Sequence, residues 1–271
     1  MFRCYMILVV SRNDIPVVWP FNKGVSLQCI IAVQRHAVDP VSFSVPNTNY
    51  KMCFSASASF GLSAVLVTTS AITFRKVKSK DQLMFAAIPL VFAIQQFTEG
   101  FVWLSLKSGG DAGEHNIPAH IFLFFAHVVW PLWVPVAVFV MEKNPARKKI
   151  VMAMILIGAV VSVYLGSCLL RFPVHASIRG HHVFYGLDFP LVLKWFCAVL
   201  YFIPTVLPPF VSSGKRMKLL GLAVLASYIV SQVFFEGYVI SVWCFFAAAI
   251  SATVYFIIHG FSKVSTSDIS N

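Results

Sequence analysis

The apolar positions of this chain fall in long uninterrupted runs, not at the three-to-four-residue or alternating intervals that mark half-buried helices and strands. From Ala58 to Thr73 no residue is charged, and the run ends at Arg75, Lys76, Lys78 and Lys80. A second run, about Leu83 to Leu106, is broken only by Gln95, Gln96 and Glu99 and closes at Ser108, Gly109 and Gly110. A third, about Pro118 to Met141, is apolar except for His120 and His127. Ile150 to Leu170 is 21 residues without a charge, enough to cross about 30 Å of hydrocarbon at about 1.5 Å per residue. A loop with Arg171, His175, Arg179, His181 and His182 leads to a fifth run, about Phe189 to Val211, with Lys194 near its start. Leu219 to Phe235 and Tyr238 to His259 follow, separated only by Phe235-Glu236-Gly237, so these two form a tight helical hairpin. The pattern predicts an all-α integral membrane protein, a bundle of about seven transmembrane helices.

Charge orients the bundle. Loops after the first, third and fifth spans, with the C-terminal tail, hold 12 basic residues: Arg75, Lys76, Lys78, Lys80, Lys143, Arg147, Lys148, Lys149, Lys215, Arg216, Lys218 and Lys263. The other side holds four, Lys107, Arg171, Arg179 and Lys194, offset by Asp111, Glu114, Asp188 and Glu236. Basic loops stay on the cytoplasmic side, which puts the start of the bundle outside and the C-terminus inside.

Residues 1–51 do not fit that scheme, since Arg3, Arg12, Lys23, Arg35 and Lys51 against Asp14 and Asp39 would carry a net positive tail outward. Their longest apolar stretch, Tyr5 to Val10, is too short for a signal-peptide core. An organelle-type targeting extension and an upstream translation that is not part of the functional protein both account for them; the second is favoured, with Met52 as the working start. The expected organisation is an extension over 1–51, a seven-helix transmembrane domain over 52–262 and a short cytoplasmic tail over 263–271.

Composition agrees with the spans. Hydrophobic residues make up 58% of the chain and charged residues 11%, against roughly 25% charged in soluble domains. The formal net charge of +11 would suit a nucleic-acid partner if it were clustered, but it is spread through short loops between spans, so the expected partner is the lipid bilayer and not nucleic acid. A small molecule or ion is the expected cargo class. The membrane is the plasma membrane if the protein is bacterial. The six cysteines, Cys4, Cys29, Cys53, Cys168, Cys197 and Cys244, show no CxxC spacing, and those inside spans read as small packing residues.

The stretch Met52-Cys53-Phe54-Ser55-Ala56-Ser57-Ala58-Ser59-Phe60 resembles the opening of an uncharacterised, mainly bacterial family of polytopic membrane proteins whose chains begin Met-Cys-Phe-Ser-Ala. Gln95-Gln96-x-x-Glu99-Gly100-x-x-Trp103 and Val242-Trp243-Cys244-Phe245-Phe246-Ala247-Ala248 extend the resemblance, which covers roughly residues 52–260. It implies Met52 as the start and brings no known activity.

Glu99 is the single acid deep inside a span, and a carboxylate at mid-helix costs on the order of 2.5–3.5 kcal/mol on insertion scales. Gln95, Gln96 and Trp103 share its helical face. A protonated acid that ties helices together and a proton, ion or substrate site both fit such a residue. His127 is expected at the same depth, with His120 seven residues earlier on the same face. Pro131 cannot donate to the carbonyl of His127, so that helix should kink and expose a backbone acceptor, and Pro135 should repeat the effect at Pro131. Lys194 either snorkels to the surface or pairs inward with Glu99. Glu99, His127, His120 and Cys53, with His181 and His182 nearby, also make a candidate zinc or iron site, although no two have ligand spacing within one helix. Pro204, Pro208 and Pro209 break the fifth span in its inner half, as at many transporter sites. Gly158-x-x-x-Ser162-x-x-x-Gly166 and Ser59-x-x-x-Ser63 are small-residue faces for close helix packing.

Several seven-helix classes lack their marks here. The last span has no lysine for retinal, no Asp-Arg-Tyr follows the third span, no Asn-Pro-x-x-Tyr lies in the seventh, and only His259 stands where zinc-dependent seven-helix hydrolases carry His-x-x-x-His. The leading expectation is a proton- or ion-linked transporter or channel-like protein using a Glu99/His127 pair. The alternatives are an intramembrane, metal-assisted hydrolase with an outward-facing histidine and carboxylate site, and a sensor or assembly subunit without turnover.

Overall fold

The computed structural model describes residues 55–108, 116–179, 182–190, 194–234 and 238–267, of which 194, 195, 243–245 and 262–267 by their backbone alone. The 1–51 extension, the Met52 start and Cys53 lie outside the described residues, as does His181.

Eleven helices are described: α1 Ala56–Phe74, α2 Leu83–Ala86, α3 Ile88–Lys107, α4 Ile117–Phe124, α5 Trp130–Met141, α6 Pro145–Arg171, α7 Lys194–Val206, α8 Pro208–Val211, α9 Met217–Phe234, α10 Val239–Phe245 and α11 Ala247–Ser267. Six helical segments are long and apolar enough to cross a membrane: 56–74, 80–107, 117–141, 145–171, 217–234 and 239–261. The fifth sequence run breaks in its inner half, as its prolines led one to expect: Leu207, just before Pro208, separates α7 from α8 and leaves a shorter apolar helix over Phe196–Val206. Large apolar side chains point outward all along these helices, among them Leu170 at 89% and Val163 at 73% exposure. In water such a surface would be costly, and in a bilayer it is the solvent-facing one.

Small residues set the closest helix contacts. Along α1, Ser59, Ser63, Ser70 and Thr73 are buried, and the Ser63 hydroxyl donates to the carbonyl of Ala93 in α3 at 2.8 Å. The Gly158, Ser162 and Gly166 face of α6 lies on the third span: Ser162 donates to the Val128 carbonyl at 2.8 Å, and Gly158 lies against the Pro131 carbonyl. That carbonyl is the one Pro135 leaves without a helical donor.

Where a kink at His127 was expected, the structure has a π-helical turn, Phe125–Val129, between α4 and α5. The Trp130 amide bonds the Phe125 carbonyl, so the Ala126 carbonyl loses its ordinary partner. Tyr201 of α7 supplies one, donating its hydroxyl at 2.5 Å.

The loop between the fourth and fifth runs is not irregular, and the chain is accordingly not purely helical. Val174–Arg179 (β1) and His182–Leu187 (β2) pair antiparallel, Val174 with Leu187 and Arg179 with His182. Val174, Ala176, Val183 and Tyr185 alternate into the interior, and Tyr185 stacks on Phe122 of α4 at 5.1 Å. Arg179 lies over the Phe184 ring at 3.6 Å.

At the opposite end, the α5–α6 turn is bound to the segment between α8 and α9. Glu142, 3% exposed, accepts from the Ser213 amide at 2.7 Å, the Ser213 hydroxyl at 2.6 Å and the Asn144 amide at 2.8 Å. Arg147 donates to the carbonyls of Val211 and Ser212.

Candidate functional site

Helix α3 carries the polar face expected of it, and all four members are inside: Gln95, Gln96, Glu99 and Trp103 are buried. The Trp130 indole donates to Gln95 Oε1 at 2.7 Å, while its ring lies on Phe92 at 4.1 Å. Gln96 is buried about one turn before Glu99, and its Nε2 has no hydrogen-bond partner among the described residues. Glu99, 4% exposed, accepts at Oε1 from the hydroxyl of Ser241 in α10 at 2.5 Å. An acid in such surroundings is satisfied by a partner 142 positions away in the chain.

Glu99 and His127 lie one turn from the Gln95–Trp130 bond, both on the side nearer the hairpin, because α3 and the third span run in opposite directions. They do not bond each other. His127 Nδ1 bonds the Leu123 carbonyl of its own helix at 3.1 Å, and its ring faces Phe189 at 6.1 Å. A carbonyl can only accept, so Nδ1 carries the proton in this bond, and in the neutral ring Nε2 is left as an acceptor. His120 repeats the pattern with the Asn116 carbonyl at 3.0 Å.

Three of the four residues of the candidate metal set are described, and they do not gather. Each has taken a separate partner, and among the described residues no three His, Cys, Asp or Glu side chains come close enough to hold an ion. Of Lys194 only the backbone position, at the start of α7, is described.

Beside this polar face lies a cavity of about 290 Å³. Ile88 and Phe92 of α3, His127 and Trp130, and Leu187 and Phe189 after the hairpin line it, together with residues of α7, α9, α10 and α11. Its walls are mostly apolar. Two of its polar groups turn to carbonyls: the Tyr201 hydroxyl donates to Ala126, and the Thr205 hydroxyl to Tyr201 at 2.7 Å. Helix α10 serves both features, since Val239 and Ile240 line the cavity while Ser241 holds Glu99.

Sequence reasoning passed over Ser241, Trp130, Tyr201 and the hairpin. Tyr201 sits in an apolar run with no motif around it, and Ser241 stands just before the Val242–Ala248 motif without belonging to it, so no polar pattern marks either. The hairpin did leave a signal, the two-residue alternation of Val174, Ala176, Ile178 and of Val183, Tyr185, Leu187.

Residues 52–268 match the model of a family described as "Family of unknown function (DUF6629)". No curated protein matches the chain, and no solved structure does.

Proposed function

Since the chain belongs to the DUF6629 family, whose function is unknown, the assignment has to come from its own geometry, and we propose a proton-linked, multi-pass transporter or channel-like protein. In this reading the six long helices and the shorter α7–α8 segment cross the membrane seven times, with the C-terminus on the cytoplasmic side, that of the basic loops. Glu99 exchanges the proton and the cavity takes the cargo. The observation that carries the reading is the bond between Ser241 and Glu99. It ties the one acid inside the bundle's apolar spans to a short helix whose adjoining residues form the cavity wall. Gaining or losing a proton at Glu99 changes that bond, and with it the tie between α3 and the α10 segment of the cavity wall. His127, which does not bond Glu99, lines the cavity and faces the cargo.

The test is the full chain in phosphatidylcholine vesicles loaded with a pH indicator, with a potassium diffusion potential to drive protons. Wild type should move protons faster than protein-free vesicles, and Glu99→Gln should fall to that baseline while remaining monodisperse. Equal rates for the two proteins, or no movement above the baseline, overturn the reading. Cysteine accessibility at Ser79, Ser108 and Ser213 checks the topology: Ser79 and Ser213 on the cytoplasmic side, Ser108 on the other.

A further inference from the structure

We infer that the cavity binds a lipophilic molecule carrying one hydroxyl donor, a phenol or alcohol with a compact apolar body, and that His127 Nε2 accepts the hydroxyl hydrogen. This inference rests on the reading of the cavity as the cargo site and names the class of cargo.

The walls give the apolar body. Ile88, Phe92, Val134, Leu165, Val224 and Ile250 offer neither donors nor charges. A cavity of about 290 Å³ stands at the lower end of the roughly 300–1,000 Å³ of small-molecule sites, which suits one or two rings and excludes a whole phospholipid.

The polar groups give the head. Tyr201 and Thr205 spend their hydroxyl hydrogens on backbone carbonyls, and the Gln232 amide approaches the Tyr228 hydroxyl at 3.4 Å. His127 differs. Its Nδ1 is fixed on the Leu123 carbonyl, so the ring cannot exchange its two nitrogens without breaking that bond. His127 lines the cavity, its Nε2 is left as a lone-pair acceptor, and a ligand that brings a donor to it gains a hydrogen bond that an ether or hydrocarbon cannot make. A cationic ligand is disfavoured, because none of the lining residues is an acid.

The position of the cavity favours a ligand that arrives from the bilayer. Helices α7 and α9 both line it but approach each other at few positions, and the Phe202 and Tyr228 rings, 5.4 Å apart, bridge them. Outward of that pair, Phe196 and Val199 of α7 and Leu222 and Ile229 of α9 are exposed, a surface that faces lipid in a spanning bundle.

The experiment is calorimetric titration of the full chain in phosphatidylcholine nanodiscs with 4-phenylphenol and with its methyl ether, 4-methoxybiphenyl, each corrected for partition into empty nanodiscs. The phenol should bind saturably, one per chain, and about three- to tenfold more tightly than the ether, the range that one net hydrogen bond supplies. In His127→Phe, which keeps a ring but removes the acceptor, that preference should disappear while ether binding remains. Absence of saturable binding, equal affinity for the two compounds in wild type, or a preference that survives His127→Phe in a monodisperse protein overturns the inference. The phenol–ether comparison in wild type decides even if the variant does not fold. Phenol selectivity that persists in Glu99→Gln vesicles devoid of proton movement would show binding without dependence on that acid. Glu99-dependent proton movement without phenol selectivity would leave the transport reading in place and remove this cargo.

Discussion

The carbonyl oxygen of Pro131 occupies the space that a side chain on Gly158 would need: a Cβ built there would clash with it. The two positions are joined by a single cause. Pro135 has no N–H to give the Pro131 carbonyl, so that oxygen stands proud of its helix, and α6 meets it with the one residue that has no Cβ. Gly158→Ala must therefore push the α5 and α6 backbones apart. The expected loss is about 1–3 kcal/mol, read as a lower midpoint of thermal unfolding in detergent. Gly61→Ala is the control, since nothing lies within 4 Å of its added methyl, and a helix-interior glycine replaced by alanine gains about 0.5–1 kcal/mol. If both variants unfold at the wild-type temperature, the close approach is not what holds α6 to α5.

Glu142 is a latch at the end opposite the hairpin. Burial alone would raise its carboxyl, but hydrogen bonds from the Ser213 hydroxyl and amide and the Asn144 amide outweigh that and hold it at about 2, below the ordinary value of 4.5. A carboxyl lowered by folding stabilises the protein above its unfolded value, and the contribution is lost as pH falls from there through the folded value. Glu142→Gln should unfold at lower temperature than wild type, by a constant margin at neutral pH. The margin should narrow below about pH 4.5 and close near pH 2. A margin that does not change with pH would mean that the charge on Glu142 contributes nothing to the latch.

Gln95 and Trp130 form a second testable pair, buried on facing helices and bonded at 2.7 Å. Trp130→Phe leaves Gln95 Oε1 without its donor, and an orphaned buried acceptor costs about 1–3 kcal/mol. Gln95→Leu leaves the indole N–H orphaned in turn. The double variant should unfold at a higher temperature than the sum of the two losses gives, because it removes both halves of the bond. Strict additivity in a double-mutant cycle would show that the two side chains do not interact.

The spans were legible because lipid-facing and core-facing positions are both apolar, so an uninterrupted run needs no partner to be recognised. The buried face of α3 was legible too: Gln95, Gln96, Glu99 and Trp103 follow helical spacing, and polar residues in a span turn inward. What these residues bond was not. Ser241 lies 142 positions from Glu99, and a serine in an apolar run carries no mark of its partner. The prolines predicted a disturbance at His127 but not its form, a π-helical turn that frees the Ala126 carbonyl for Tyr201. The break in the inner half of the fifth run was legible from its prolines, though not its place: Pro204 stays inside α7, and the helix stops at Leu207, before Pro208, which has no N–H to continue it.

The Ser241–Glu99 bond separates the two roles open to Glu99. Ser241 donates, and Glu99 accepts at Oε1, so Glu99→Gln keeps a carbonyl acceptor at that place while removing the exchangeable proton. Glu99→Leu removes both, leaving the Ser241 hydroxyl without its acceptor in the interior. If the acid serves proton transfer, Glu99→Gln should unfold within about 1 kcal/mol of wild type yet lose proton movement, whereas Glu99→Leu should lose both stability and movement. Ser241→Ala should retain proton movement with an altered rate, since the carboxyl remains but its tie to α10 is gone. If Glu99→Gln is as unstable as Glu99→Leu, the acid is a structural tie between α3 and α10, and the proton-linked reading falls with it.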